Sequence, residues 1–114
     1  MSAAAVDLNH LARYTGGDVS LNSEILRLFD SQANELVQQL QNILDARDAK
    51  SWKVTMHTLK GAARGIGAFS LGDAAAAAEP IDPVSDSKTA SAAFHDLQTK
   101  TGAVRVFIKA YLGA

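Results

Sequence analysis

His57, Lys60, Gly61 and Arg64 recur at intervals of three and four residues within the stretch Met56-His57-Thr58-Leu59-Lys60-Gly61-Ala62-Ala63-Arg64-Gly65-Ile66-Gly67-Ala68. Side chains at those intervals meet on one face of an α-helix, so these residues are expected to share a strip. Met56, Leu59, Ala63 and Ile66 form the opposite, apolar face, which a core would bury. The imidazole of His57 is thus expected to look outward beside cationic neighbours. A neutral imidazole is a nucleophile near physiological pH, because its reference pKa is about 6.5. Such a strip suits reversible attachment of a phosphoryl group to the ring.

Lys60 and Arg64, one and two turns on, are placed to offset the charge of that group, and Lys53, one turn before, extends the basic strip. Cationic neighbours also disfavour imidazolium and keep the ring nucleophilic. Gly61 leaves open space beside the ring for a partner's approach. Glycine in an exposed helix interior is disfavoured by about 1 kcal/mol relative to alanine, which makes access the reason expected for it. His10 and His95 lie far from this strip in sequence, and the chain holds no Glu-x-x-His or His-x-x-x-His pair. They read as ordinary surface residues, and no metal site is expected. Phe29, Trp52, Met56 and Phe69, at helical spacings, read as core rather than as a ligand pocket.

Helices alone are expected to position the strip. Asp7 caps a short first helix carrying Leu8, Leu11 and Tyr14, which Gly16-Gly17 ends. Ser20 or Asn22 caps a long second helix, whose apolar positions Ile25, Leu28, Phe29, Ala33, Leu36, Val37, Leu40, Ile43 and Leu44 keep the helical rhythm. After a polar connection over Asp45 to Asp48, a third helix begins near Ala49 and faces Trp52, Met56, Leu59, Ala63 and Ile66 inward. Gly65 and Gly67 loosen and stop it. Ser70-Leu71-Gly72-Asp73 resembles a capping arrangement opening a fourth helix through Ala74 to Ala78, an alanine run suited to close packing. Pro80 and Pro83 mark a loop, and a last helix carries Ala90, Phe94, Leu97, Thr101, Val104, Ile108 and Tyr111 on one face. Gly102 inside it is a tolerated weakness or a close packing contact. Short connections between long amphipathic helices predict an all-α, antiparallel four-helix bundle with a short extra N-terminal helix.

With 114 residues, the chain fits one domain, 1–114, with a single core. A formal net charge of -1 and the lack of a dense basic run exclude a general attraction for nucleic acid. Without cysteine there is no disulfide framework and no thiolate metal site. The opening Met1-Ser2-Ala3-Ala4-Ala5-Val6-Asp7 lacks a basic, then apolar, leader pattern, and no run of about 20 apolar residues suggests a membrane span. A cytoplasmic location is expected.

The residues quoted resemble the histidine-containing phosphotransfer (HPt) domains of two-component phosphorelays. The family pattern of histidine, apolar residue, Lys-Gly and two small residues, with a later glycine, is met at His57, Leu59, Lys60, Gly61, Ala62, Ala63 and Gly67. Gly16-Gly17-Asp18 and Ile25-Leu26-Arg27-Leu28-Phe29 resemble the family's run into its second helix. One departure is that many members carry serine where this chain has Ala62 or Ala63. The resemblance implies the same bundle, with His57 taking a phosphoryl group from a receiver-domain aspartate of a hybrid histidine kinase and passing it to a response-regulator receiver. It implies no cofactor of its own, since the Mg²⁺ belongs to the receiver, and a carrier, expected to be monomeric, rather than an enzyme with kinase activity. An acidic or amide side chain near the end of the fourth helix approaches the histidine in some members, which implies that Glu79 orients the imidazole. The contrasting expectation is a helical adaptor that docks receivers without carrying phosphate.

Overall fold

Aspartates open most of the helices. A computed structural model of the chain describes residues 4–113, so Met1-Ser2-Ala3 of the segment read for a leader lie outside the described residues. Asp7 accepts from the backbone N–H groups of Asn9 and His10 and starts α1 (Leu8–Thr15). Asp18 accepts from Leu21 N–H and starts α2 (Val19–Ala46). Asp48 accepts from Ser51 N–H and starts α3 (Ala49–Gly65), and its carboxyl is held below the usual range by the Ser51 hydroxyl and N–H. Asp86 accepts from Thr89 N–H at the start of α5 (Ser87–Gly113). Each satisfies an N–H that the first helical turn leaves unpaired. The cap of α2 is therefore Asp18 rather than Ser20 or Asn22, which lie within the first turn, past the point where a cap can act.

α4 (Phe69–Ala78) is the exception, for its N-cap is Ala68 and no side chain caps it. The expected capping set at Ser70 to Asp73 is inside the helix instead. The chain turns from α3 into α4 through Gly67, at φ 84°, with Ala68 N–H donating to Ala63 C=O and Gly67 N–H to Arg64 C=O. That pair of bonds is a Schellman ending, and it leads straight into the next helix without needing a cap. α2 ends in the same way on Arg47, a non-glycine residue at φ 55°.

α2, α3, α4 and α5 pack as a closed ring, each against its neighbours in order and α5 back against α2, while α1 lies on α2. The architecture is the all-α bundle with an extra N-terminal helix. A helix of 28 residues is about 42 Å long at 1.5 Å per residue, so α2 accounts for most of the 45 Å long axis. The core holds Leu26, Phe29, Ala33, Leu36 and Leu40 of α2 against Trp52, Met56, Leu59 and Ala63 of α3. Ala75 and Ala78 of α4 are fully buried, which is the close packing expected of the alanine run. Leu28 departs from the expected stripe: it lies one residue, about 100° around the helix, from Phe29, and is 70% exposed. Phe69 likewise is not core, being 41% exposed. Gly102 is exposed with open space around it, so it is a helix weakness and not a packing contact. Among the described residues, no helix is long and apolar enough to cross a membrane.

Candidate functional site

The periodicity that buries Trp52, Met56, Leu59 and Ala63 turns the other side of α3 outward. His57 stands there with its side chain 70% exposed. Across the seam, Glu79 follows the last residue of α4, and its Oε1 lies 3.2 Å from His57 Nδ1. The same oxygen lies 3.0 Å from Lys60 Nζ. One carboxylate oxygen therefore serves two donors on consecutive turns of α3. The Lys60 ammonium, hydrogen-bonded to Glu79, holds that carboxyl below the usual carboxylate range; desolvation opposes the shift and the contact with His57 adds to it.

A carboxylate accepts only, so Nδ1 carries the proton when the imidazole is neutral. The lone pair is then on Nε2, which has no hydrogen-bond partner among the described residues. Lys53, Val54, Thr58 and Glu79 border a shallow cleft of about 290 Å³ beside the ring. A larger groove of about 710 Å³, between the N-terminal segment and α5, contains none of these residues. Gly61 is exposed, and a Cβ built on it meets nothing within 4 Å, so the flank of His57 toward the C-terminus of α3 is open.

Spacing brings His57, Lys60, Gly61 and Lys53 together as expected, and Glu79 joins them from α4. Arg64 is engaged elsewhere. Its guanidinium pairs with Asp73 at 3.4 Å, and its stem lies so close over α4 that a Cβ on Gly72 would meet Arg64 Cγ at 2.7 Å. It acts as a clasp between α3 and α4. Helical spacing fixes which face a residue leaves from but not where a long side chain ends. Val54, three residues before His57, was readable as a cleft residue from spacing, whereas Thr58, the next residue along, was not. Asp73 as the partner of Arg64 was not, because it comes from another helix. His10 also departs from an ordinary surface residue, since it is half-buried with edge-on contacts to Phe69 and Tyr14 at 4.9 and 5.6 Å between ring centres. His95 is exposed. Among the described residues, no group of three or more His, Asp or Glu side chains is placed to hold a metal ion.

The site is thus an exposed imidazole on a helical bundle, contacted from one side by a carboxylate and open on the other. The chain belongs to the Hpt domain family, whose model matches residues 24–105. The fold is similar to that of histidine-containing phosphotransfer protein B (HptB) from Pseudomonas aeruginosa PAO1, at a TM-score of 0.88. The alignment covers 98% of this chain and 97% of that one, with 23% sequence identity. Comparison with curated proteins gives no match. Hpt proteins are phosphocarriers of phosphorelays and work with receiver domains.

Proposed function

We propose that this chain carries a phosphoryl group on Nε2 of His57, between a receiver aspartate of a hybrid histidine kinase and that of a response regulator. The observation that supports it best is the 3.2 Å contact between His57 Nδ1 and Glu79 Oε1, on a ring that is otherwise exposed. The Nε2 lone pair attacks phosphorus of the receiver's acyl phosphate. An N–P bond forms, the P–O bond to the aspartate breaks, and the carboxylate leaves with its electron pair. The ring keeps its Nδ1 proton and becomes a phosphorylated imidazolium. Its positive charge faces the Glu79 carboxylate, and the reverse steps deliver the group to the next aspartate.

Lys60, Lys53 and Gly61 complete the site. Lys60 holds Glu79 in the resting molecule and is near enough in the helix to offset charge on the added group. Lys53 borders the cleft and extends the positive field toward an acidic receiver site. Gly61 keeps the approach open. Arg64, held by Asp73, is assigned to the scaffold rather than to the phosphate. In this reading the chain works as a cytoplasmic monomer without kinase activity of its own, with the Mg²⁺ contributed by the receiver.

The test is phosphoryl transfer from a phosphorylated receiver, read as acid-labile, base-stable phosphate on this chain. The parent is expected to be labelled and His57→Gln to be unlabelled with unchanged helical content. Labelling that persists in His57→Gln excludes the assignment. A parent that binds the receiver without labelling shows an adaptor instead.

A further inference from the structure

Trp52 takes no part in the chemistry above, yet its side chain is fully buried and its single polar atom is committed across the bundle. The indole N–H donates to the carbonyl oxygen of Ala78 at 2.9 Å. A buried N–H needs an acceptor, because leaving it unpaired forfeits its hydration without return. The acceptor is the last residue of α4, and Glu79 is the next residue in the chain. The same carbonyl also accepts from Ile81 N–H at 3.1 Å, so the bond lies at the centre of the turn that ends the helix.

At this end of α4 the helical ladder supplies the bond from Glu79 N–H to the Ala75 carbonyl at 2.9 Å, which fixes Glu79 within the helix but not the helix against α3. The residues leading to it, Ala74 to Ala78, carry only methyl side chains, which pack closely but offer no polar group to tie the helix to α3. No side chain caps the start of α4. Pro80 has no N–H to continue the helical ladder. Against this, α3 grips the end of α4 with three donors: Trp52 on the Ala78 carbonyl, and His57 and Lys60 on the Glu79 carboxylate. The two on Glu79 are ionic or partly exposed, and salt weakens such contacts. The Trp52 bond is neutral and buried and does not depend on charge.

We propose that Trp52 is a positioning residue for His57: its indole N–H, by fixing the Ala78 carbonyl, sets the Glu79 carboxylate against Nδ1 and so selects the tautomer with Nε2 free. The kinetic consequence rests on the phosphoryl-acceptor function of His57, whereas the effect on the tautomer does not.

Trp52→Phe keeps an aromatic ring and deletes the N–H. Ring ¹⁵N NMR of His57 is expected to show Nδ1–H in the parent and a larger share of Nε2–H in the variant. Transfer from a phosphorylated receiver is expected to slow about two- to tenfold, the range of one neutral hydrogen bond. In a Glu79→Ala background, the same substitution is expected to slow transfer no further, since Trp52 acts through Glu79. An unchanged tautomer, or equal slowing in both backgrounds, overturns the proposal. If the parent itself takes no phosphoryl group, the carrier function fails and the tautomer measurement still decides the role of Trp52. Should circular dichroism show that Trp52→Phe does not fold, the comparison passes to benzothienylalanine, which has sulfur in place of the N–H and nearly the same shape. Because the chain has a single tryptophan, that replacement affects position 52 alone.

Discussion

Nδ1 of His57 and Oε1 of Glu79 lie 3.2 Å apart across the seam between α3 and α4. The oxygen that meets the ring also meets Lys60 Nζ at 3.0 Å, so one anion contacts both an imidazole and a cation. A strip of basic residues alone would leave the imidazole free to take either tautomer. The carboxylate removes that freedom and adds a countercharge where the proposed transfer would develop positive charge on the ring. Of the basic side chains near His57, Lys60 and Arg64 are paired in the resting molecule, while Lys53 has no ion pair among the described residues.

Glu79→Ala is expected to slow phosphorylation of His57 by about ten- to a hundredfold, which corresponds to losing a hydrogen bond to a charged group, about 1.5–3 kcal/mol. Glu79→Gln retains an acceptor and orients the ring but loses the countercharge, so it is expected to fall between parent and alanine. Stopped-flow or rapid-quench transfer from one phosphorylated receiver ranks the three. If Gln is as slow as Ala, orientation contributes nothing and the charge alone matters.

Lys60→Met removes the largest cause of the lowered Glu79 pKa while keeping most of the stem. The sign follows from the direction of the shift. A carboxyl whose folded pKa is depressed contributes stability above its unfolded value, about 4.3, and loses it as pH falls through the folded value. In Lys60→Met the Glu79 pKa is expected to rise toward the ordinary range, and the small stability gap to the parent to close on acidification. Carboxyl ¹³C titration of Glu79 together with melting curves over the acid range measures both. Transfer is expected to slow as well, with Lys60→Arg keeping part of the parental rate. Identical Glu79 titrations in parent and Lys60→Met would show that the 3.0 Å pair has no electrostatic weight.

The bundle and the outward strip of α3 were legible because both rest on periodicity, which sequence states directly. Trp52, Met56, Leu59 and Ala63 went inward, and His57 outward, by the helical repeat alone. Contacts between helices were not legible in the same way. The Arg64–Asp73 pair and the Trp52–Ala78 bond depend on the rotation of α4 about its own axis, which no interval within α3 encodes. Glu79 was placed beside His57 only through resemblance to a family, since its distance of 22 residues in sequence carries no geometric signal. Leu28 misled for a related reason. The stripe of α2 is complete without it, and an apolar residue type on a helix does not fix the face it occupies.

Gly61 separates access from folding. An added side chain meets open space there, so Gly61→Ala is expected to stabilise the protein by about 1 kcal/mol through helix propensity. Gly61→Gln is expected to hold or gain stability and to lose transfer, because its amide reaches over the approach to His57. Thermal unfolding and transfer rates on the same preparations give the contrast. Rapid transfer by Gly61→Gln would place the partner's approach on another side of the ring.

Gly67 is the opposite case, a glycine that the fold requires. Its φ of 84° lies in the left-handed region, where a side chain is strained wherever it points. A Cβ there would also meet the backbone oxygen of Asp7 at 2.6 Å, and backbone cannot swing aside as a flexible side chain can. The close approach has a purpose, for Asp7 N–H donates to the Gly67 carbonyl at 2.9 Å and ties the chain before α1 to the α3–α4 corner. Gly67→Ala therefore combines left-handed strain with displacement of that tie, and is expected to destabilise by about 2 kcal/mol or more. The corner also sets the start of α4, which has no side-chain cap to hold it independently. Its displacement is expected to reach Glu79 at the far end only weakly, because Trp52 anchors that end. Denaturant unfolding should thus show a clear loss for Gly67→Ala, while His57 ring ¹⁵N shifts stay near the parent's under conditions where the variant remains folded. A shift of the His57 tautomer as large as that of Glu79→Ala would mean that α4 moves as one rigid body about its N-terminal corner.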